Sequence, residues 1–260
     1  MSIVSTKLMG GLGNYMFQIS AAYSISKRDG KELICDYSDH MVPHKPFSEY
    51  TNNLFRKIKF SNGIGKYIHV GESGFKYNPI PEIEGSLRLN GYFQSEKYFK
   101  EIRNEILDLF DLPEEIKKSI EDRYRGVLKQ DTCSIHVRRG DYLHLSNHHP
   151  VQTIEYYKES TNIIGLDKTF VIFSDDIDWC KENLDFIPNK FFISGNEDYE
   201  DMYLMSLCNN NIIANSTFSW WGAWLNKNED KKVIAPKKWF GVSNSHLDTS
   251  DLYCEKWITI

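Results

Sequence analysis

Two adjacent arginines close the run TCSIHVRRGD at Thr132 to Asp141, at the end of a strand-like pattern. Alternation along a strand turns Ile135 and Val137 toward a core and Ser134, His136 and Arg138 to the opposite face. Arginine stays charged near neutrality, and its planar fork matches phosphate oxygens two at a time. The chemistry that fits is the grip of a diphosphate. A structural ion pair of Arg138 or Arg139 with Asp141 is the competing use of the same residues.

Three other stretches carry groups of the same kind. MGGLGNYMFQ sets Gly10, Gly11 and Gly13 between a strand and a helix, where the backbone can turn sharply and approach a ligand. Asn14 follows at the helix start, as a ligand-facing amide or as a cap. FVIFSDDID at Phe170 to Asp178 ends in Asp175 and Asp176, acceptors for the hydroxyls of a sugar or the ring N–H groups of a guanine. Capping of the next helix is the alternative role of Asp176. With Asp178 these acids could hold a divalent ion beside a nucleotide, a service the arginines make less necessary. IIANSTFSWWGAW at Ile212 to Trp224 passes from strand to helix through Asn215, Ser216 and Thr217, whose hydroxyls and N–H groups suit phosphate oxygens. Trp220 and Trp224 lie four apart on that helix, a spacing that favours core packing over sugar stacking.

These motifs need strand ends to hold them. The pattern predicts strands at 3–9, 32–35, 87–93, 132–138, 169–174, 190–194, 211–214 and 232–235. It predicts helices at 14–28, 96–110, 113–128, 153–164, 176–183, 198–209 and 217–226. The segment 37–84 reads as irregular, rich in Gly, Pro, Asn and Lys. Alternating strands and helices imply parallel sheets covered on both faces, with ligands at the carboxyl ends of the strands. Length suits two α/β halves, 1–128 and 129–260.

Composition narrows the function classes. Hydrophobic residues make up 41% of the chain, enough for a packed core. The net charge of −5 leaves no overall positive field for nucleic acid, so any anion site is local. Five cysteines without a CxxC pair suggest reduced thiols, and no run of residues reads as a signal or a membrane span, which favours a cytoplasmic protein. The glycosylation triplet at Asn215 therefore carries no weight. Lys231-Lys232 and Lys237-Lys238, the latter followed by Trp239-Phe240, could touch an anionic membrane surface, although solvated loops explain them as well. A dinucleotide fold wants glycine or alanine where the fingerprint has Met16; Asp36 alone keeps an NAD-linked oxidoreductase in view.

Taken together and in order, GGLGNYMFQ, HVRRGDY, FSDDID and NSTFSWWGAWL resemble the motifs of bacterial α-1,2-fucosyltransferases, the eleventh sequence family of glycosyltransferases. The resemblance implies a GT-B fold, with two facing Rossmann-like domains, the acceptor on the N-terminal side and the donor GDP-fucose on the C-terminal side. It implies inverting transfer of L-fucose to a galactose 2-hydroxyl in a surface polysaccharide or O-antigen, without a divalent metal or other cofactor. By resemblance Arg138 grips the β-phosphate, with Arg139 beside it, and His136 supports the nucleotide. Asp175 and Asp176 take guanine or ribose, Asn215, Ser216 and Thr217 the phosphates, and Gly11 and Gly13 bring Asn14 to the sugar. Asp141, His144 and Glu49 are candidate bases by chemistry alone, and Asp141 has the further option of orienting Arg139. His144, His148 and His149 in HLSNHHP fit no family pattern; acceptor contact or solvent suits them better than a metal. A GDP-sugar-binding module without turnover is the non-enzymatic alternative.

Overall fold

The computed structural model describes residues 2–37, 45–63 and 65–260, and its chain forms two compact units. The first comprises Met1–Pro113 with Leu247–Cys254, and the second Glu114–His246 with Glu255–Ile260. The division falls earlier than the expected 128/129. Residues 114–128 belong with the second unit, where Tyr124 donates to Asn196 Oδ1 and Glu121 accepts from Tyr203.

In the first unit, β1 (Ile3–Thr6) leads through the glycine turn into α1 (Leu12–Arg28), then to β2 (Glu32–Leu33), β3 (Cys35–Asp36), β4 (Phe60–Ser61), β5 (Ile68–Gly71) and β6 (Leu87–Asn90), and α2 (Arg103–Leu109) follows. The main sheet is parallel, ordered β2-β1-β6-β5, with β3 and β4 forming a separate parallel pair. Val4, Leu87 and Leu89 form a core with Ala21, Ala22 and Ile25 of α1, as the helical spacing requires. The predicted helix 96–110 is instead two short 3-10 turns followed by α2, because Phe99 leaves helical geometry at φ −147° to bury its ring near Phe17. Within the segment expected to be irregular, β4 and β5 are additional strands, while residues 38–44 and 64 lie outside those described.

The second unit begins with α3 (Glu114–Arg123) and α4 (Arg125–Leu128), divided at Tyr124. It continues through β7 (Thr132–Val137), α5 (Ile154–Ile164), β8 (Thr169–Ser174), α6 (Ile177–Asn183), β9 (Lys190–Phe192), α7 (Asp198–Leu207), β10 (Asn210–Ile212), α8 (Thr217–Leu225), β11 (Val233–Ala235) and β12 (Ile258–Thr259). All six strands are parallel in the order β12-β11-β10-β7-β8-β9. Every residue of β7 is buried, since helices cover both faces of such a sheet. Cys133, Ile135 and Val137 enter one core; on the other face Ser134 accepts from Asn211. Trp220, Trp221 and Trp224 are buried, and Trp220 packs on Trp257, so these indoles are core. Among the described residues, no helix is long and apolar enough to cross a membrane.

Candidate active site

Strand order locates the site. From β7 the chain runs outward through β8 and β9, then returns to lay β10 on the other side of β7. The direction of winding reverses between β7 and β10, and the crevice beyond the carboxyl ends of such a pair is where α/β sheets hold ligands. HVRRGD leaves β7 there, and NST leaves β10 there.

Within the crevice, the His136 ring lies 5.4 Å from that of Phe218, in the first turn of α8. Its Nδ1 is buried and has no hydrogen-bond partner. Burial, assisted by the Arg138 charge, pushes its pKa from 6.5 down to about 3. The ring is therefore neutral near pH 7, with a polar nitrogen that a ligand could satisfy.

Arg138 is held between two carboxylates, its Nη2 donating to Asp141 Oδ1 at 2.7 Å and its Nη1 lying 3.0 Å from Asp175 Oδ2. Its guanidinium carbon sits 5.4 Å from the Tyr142 ring centroid. The remaining N–H directions of the fork leave it able to take phosphate oxygens. Arg139 is placed differently. Its Nε donates to Asp176 Oδ2 at 3.0 Å and its guanidinium lies 4.0 Å from the Trp179 ring centroid, which makes it a brace. Asp175 Oδ1 accepts from the Arg139 backbone N–H at 2.9 Å. A Cβ on Gly140 would come within 2.5 Å of Asp175 Oδ2, so glycine lets this carboxylate lie against the turn.

Each expected binder has a definite position. Asp175 and Asp176 stand at the end of β8 but are engaged with the arginines, and Asp176 also caps α6 by accepting from Trp179 N–H. Their oxygens hold the arginine turn. Asn215 is buried, with Nδ2 donating to the carbonyls of Pro150 and Trp239 and Oδ1 accepting from Gln152. Its side-chain amide is committed to neighbouring loops, which leaves its backbone N–H as the group the expectation assigned to phosphate, and the buried amide is closed to glycosylation. Ser216 is the N-cap of α8 without a side-chain capping bond, Thr217 is the first helical residue, and no acid occupies the first turn. That helix end keeps its partial positive charge.

In the loop after Asp141, His149 stacks on Tyr142 at 4.9 Å and 20°, and burial pushes its pKa down. It props Tyr142, whose hydroxyl donates to Asn215 O. His144 and His148 are exposed, and among the described residues no cluster of His, Cys, Asp or Glu could hold a metal. Lys237 and Lys238 are exposed but Trp239 is buried, which removes that indole from any membrane contact.

In the first unit, α1 begins at Leu12 with Gly11 as its N-cap, two residues earlier than expected. Gly13 is buried inside the helix, and Asn14 occupies its first turn, where Oδ1 accepts from Gln94 Nε2 at 2.9 Å. Glu49 lies in a 3-10 turn of this unit and pairs with Lys45. Asp36 is buried, accepting from Gly63 N–H and Tyr67 Oη beside Arg88, so it is not an acid waiting for a ribose. Sequence reading missed Tyr142, Gln152, Trp179, Phe218 and Gln94; the first and fourth lie inside quoted motifs and the third directly follows one, so their proximity to the arginines and histidine was a usable signal.

The sequence profile of Glycosyl transferase family 11 matches residues 2–260. The O-antigen biosynthesis glycosyltransferase WbnK of Escherichia coli is 32% identical, the match covering 97% of this chain and 99% of that protein. An α-1,2-colitosyltransferase of the same species is 33% identical over 100% and 99%. Galactoside α-(1,2)-fucosyltransferase 2 of Oryctolagus cuniculus is 24% identical over 84% and 65%. Among solved structures, NodZ α-1,6-fucosyltransferase co-crystallised with GDP aligns at a TM-score of 0.57, with 14% identity over 85% of this chain and 91% of that one. POFUT1 in complex with GDP aligns at 0.56, with 12% identity over 88% and 95%. The fold is the expected GT-B type, α/β with parallel sheets.

Proposed function

Because the chain belongs to glycosyl transferase family 11, we propose that it moves L-fucose from GDP-β-L-fucose to the 2-hydroxyl of a terminal galactose, with inversion, in the assembly of a bacterial surface polysaccharide such as an O-antigen. The linkage and setting follow the relatives named for α-1,2 transfer and O-antigen synthesis. One observation carries the donor chemistry: Arg138, the unpartnered His136 Nδ1 and the uncapped N-terminus of α8 converge where the sheet reverses its winding.

In this reading the second unit holds the nucleotide, and the first, Met1–Pro113 with Leu247–Cys254, is assigned the acceptor. The bond to GDP lengthens first, charge develops on the departing diphosphate, and Arg138 with the α8 N–H groups stabilises it, each such donor contributing about 3 to 4 kcal/mol. We assign no divalent ion to the step: a guanidinium and a helix end face the diphosphate, while Asp175 and Asp176 are engaged with arginines. Asn14 is assigned to the sugar through its motif. Asp141 sits on Arg138 and holds it in place, and a strongly dissociative transition state asks little of a base.

Mass spectrometry of GDP-fucose incubated with lactose and an array of galactosides tests the reading, with fucosylated product expected in EDTA as well as without it. Arg138→Ala should lower kcat by about 10²- to 10³-fold with the thermal melt preserved. Full turnover by that variant, or product only on adding Mn²⁺, would overturn the donor chemistry. GDP should bind in titration calorimetry and NAD should not. The 33% identity to a colitosyltransferase favours one second reading, a GDP-colitose donor. Colitose lacks the 3-hydroxyl of fucose, and paired donors at equal concentration decide between them.

A further inference from the structure

The first unit has its own point of reversed winding. From β1 the chain goes to β2 on one side, and it returns through β5 and β6 on the other, so the crevice lies beyond β1 and β6. Asn14 follows β1, and Gln94 follows β6. The two meet through the 2.9 Å bond from Gln94 Nε2 to Asn14 Oδ1, across 80 residues of chain.

The turn that delivers Gln94 is held under strain. Phe93 has φ +53°, the left-handed region, and is the sole non-glycine residue there among the described residues. Left-handed backbone in a bulky residue costs about 1 to 3 kcal/mol and persists where the surroundings impose it. Glu72 imposes it, its carboxylate accepting from Tyr92 N–H at 2.7 Å and Phe93 N–H at 2.9 Å. Gly91 leaves room for that side chain, since a Cβ there would stand 2.4 Å from Glu72 Cβ. The Phe93 ring is buried and packs edge-on against Tyr98 at 5.3 Å. Gln94 is itself buried, so its amide is not placed for solvent.

We propose that Gln94 is a positioning residue for transfer: by donating to Asn14 Oδ1 it fixes which way the Asn14 amide faces, and presents Asn14 Nδ2, a donor, to the reacting sugar. Gly10 makes room for this side chain, because a Cβ there would lie 2.2 Å from Asn14 Nδ2 and 3.0 Å from Asn14 Cγ. An amide without such a partner would sample both orientations, and half of them would offer an oxygen to an electron-rich substrate atom.

The proposal rests on the reading that Asn14 serves the transfer, and Gln94→Glu separates the two. Glutamate has nearly the same shape but only accepts when ionised, so it reverses the bond and turns the Asn14 amide around. Steady-state kinetics of Gln94→Glu with GDP-fucose and lactose should give kcat at least tenfold down, with an unchanged KM for GDP-fucose and an unchanged melting temperature. Asn14→Ala should lose at least as much, and the double variant should be no slower than Asn14→Ala alone. Wild-type turnover by Gln94→Glu, or losses that multiply in the double variant, would overturn the positioning role while leaving Asn14 in the reaction. Full activity of Asn14→Ala would overturn both. If the Gln94→Glu protein melts early, Gln94→Met replaces it, with the same expectation for kcat and for the double variant.

Discussion

Arg138 and Arg139 are neighbours in sequence and opposites in use. One stacks on Trp179 and ties Asp176; the other keeps open directions beside a buried neutral imidazole. The imidazole has a consequence for stability. Unfolded His136 takes up a proton near pH 6.5 and the folded ring near 3, so between these values the unfolded chain binds more protons and stability falls as pH falls. The slope contributed is at most about 1.4 kcal/mol per pH unit. Asp201 opposes it: burial raises its pKa from 3.8 to about 6, so its contribution to stability falls as pH rises through that window. His149, shifted down like His136, acts in the same direction as His136. Comparing His136→Gln with the wild type cancels Asp201 and His149. Urea unfolding at pH 7 and pH 4.5 should show a smaller loss in the variant, and equal losses would refute a neutral buried ring. The four motifs were legible from type and order; the partners of their residues were not. Gln152 and Trp239, which engage the Asn215 amide, lie 63 and 24 positions away.

Elements with strong internal pattern came through the sequence well. Strands β7 to β11 of the second unit and helices such as α5 and α8 follow hydrophobic period and capping, and Thr153 caps α5 as its position suggests. The failures have physical causes. β5 and β12 are largely exposed, so they lack the alternation that burial writes into a strand. The helix foreseen at 96–110 is interrupted because burial of Phe99 outweighs local propensity. Close approach of α7 and α8 was equally invisible, although Gly222 marks it. A Cβ there would stand 2.9 Å from Met205 Cβ. Gly222→Val should cost about 1 to 3 kcal/mol by overpacking, offset by less than about 0.5 kcal/mol of helix propensity. Chemical denaturation measures it; a neutral result would mean that the two helices separate freely. Since α8 carries Ser216 and Thr217 at its start, weaker GDP binding should accompany the loss.

At the scale of the whole molecule, the division into two α/β halves was readable and the path of the chain was not. No motif announced that Leu247–Cys254 returns to the first unit before the last six residues rejoin the second. Asp251 is the anchor of that excursion: its buried carboxylate pairs with Lys97 and accepts from Tyr77 N–H. Asp251→Ala leaves both without that acceptor and should destabilise the first unit by about 1 to 3 kcal/mol. Hydrogen exchange would locate the change around Tyr77 and Lys97; protection unchanged there would show the segment to be dispensable. The same path has a meaning for the gene. A stop codon at position 247 deletes 14 of 260 residues, none of them in the four motifs, yet it strips a brace from one half and the edge strand from the other. Alleles truncated at this position should therefore behave as nulls, and a screen that scores only motif integrity would pass them as intact.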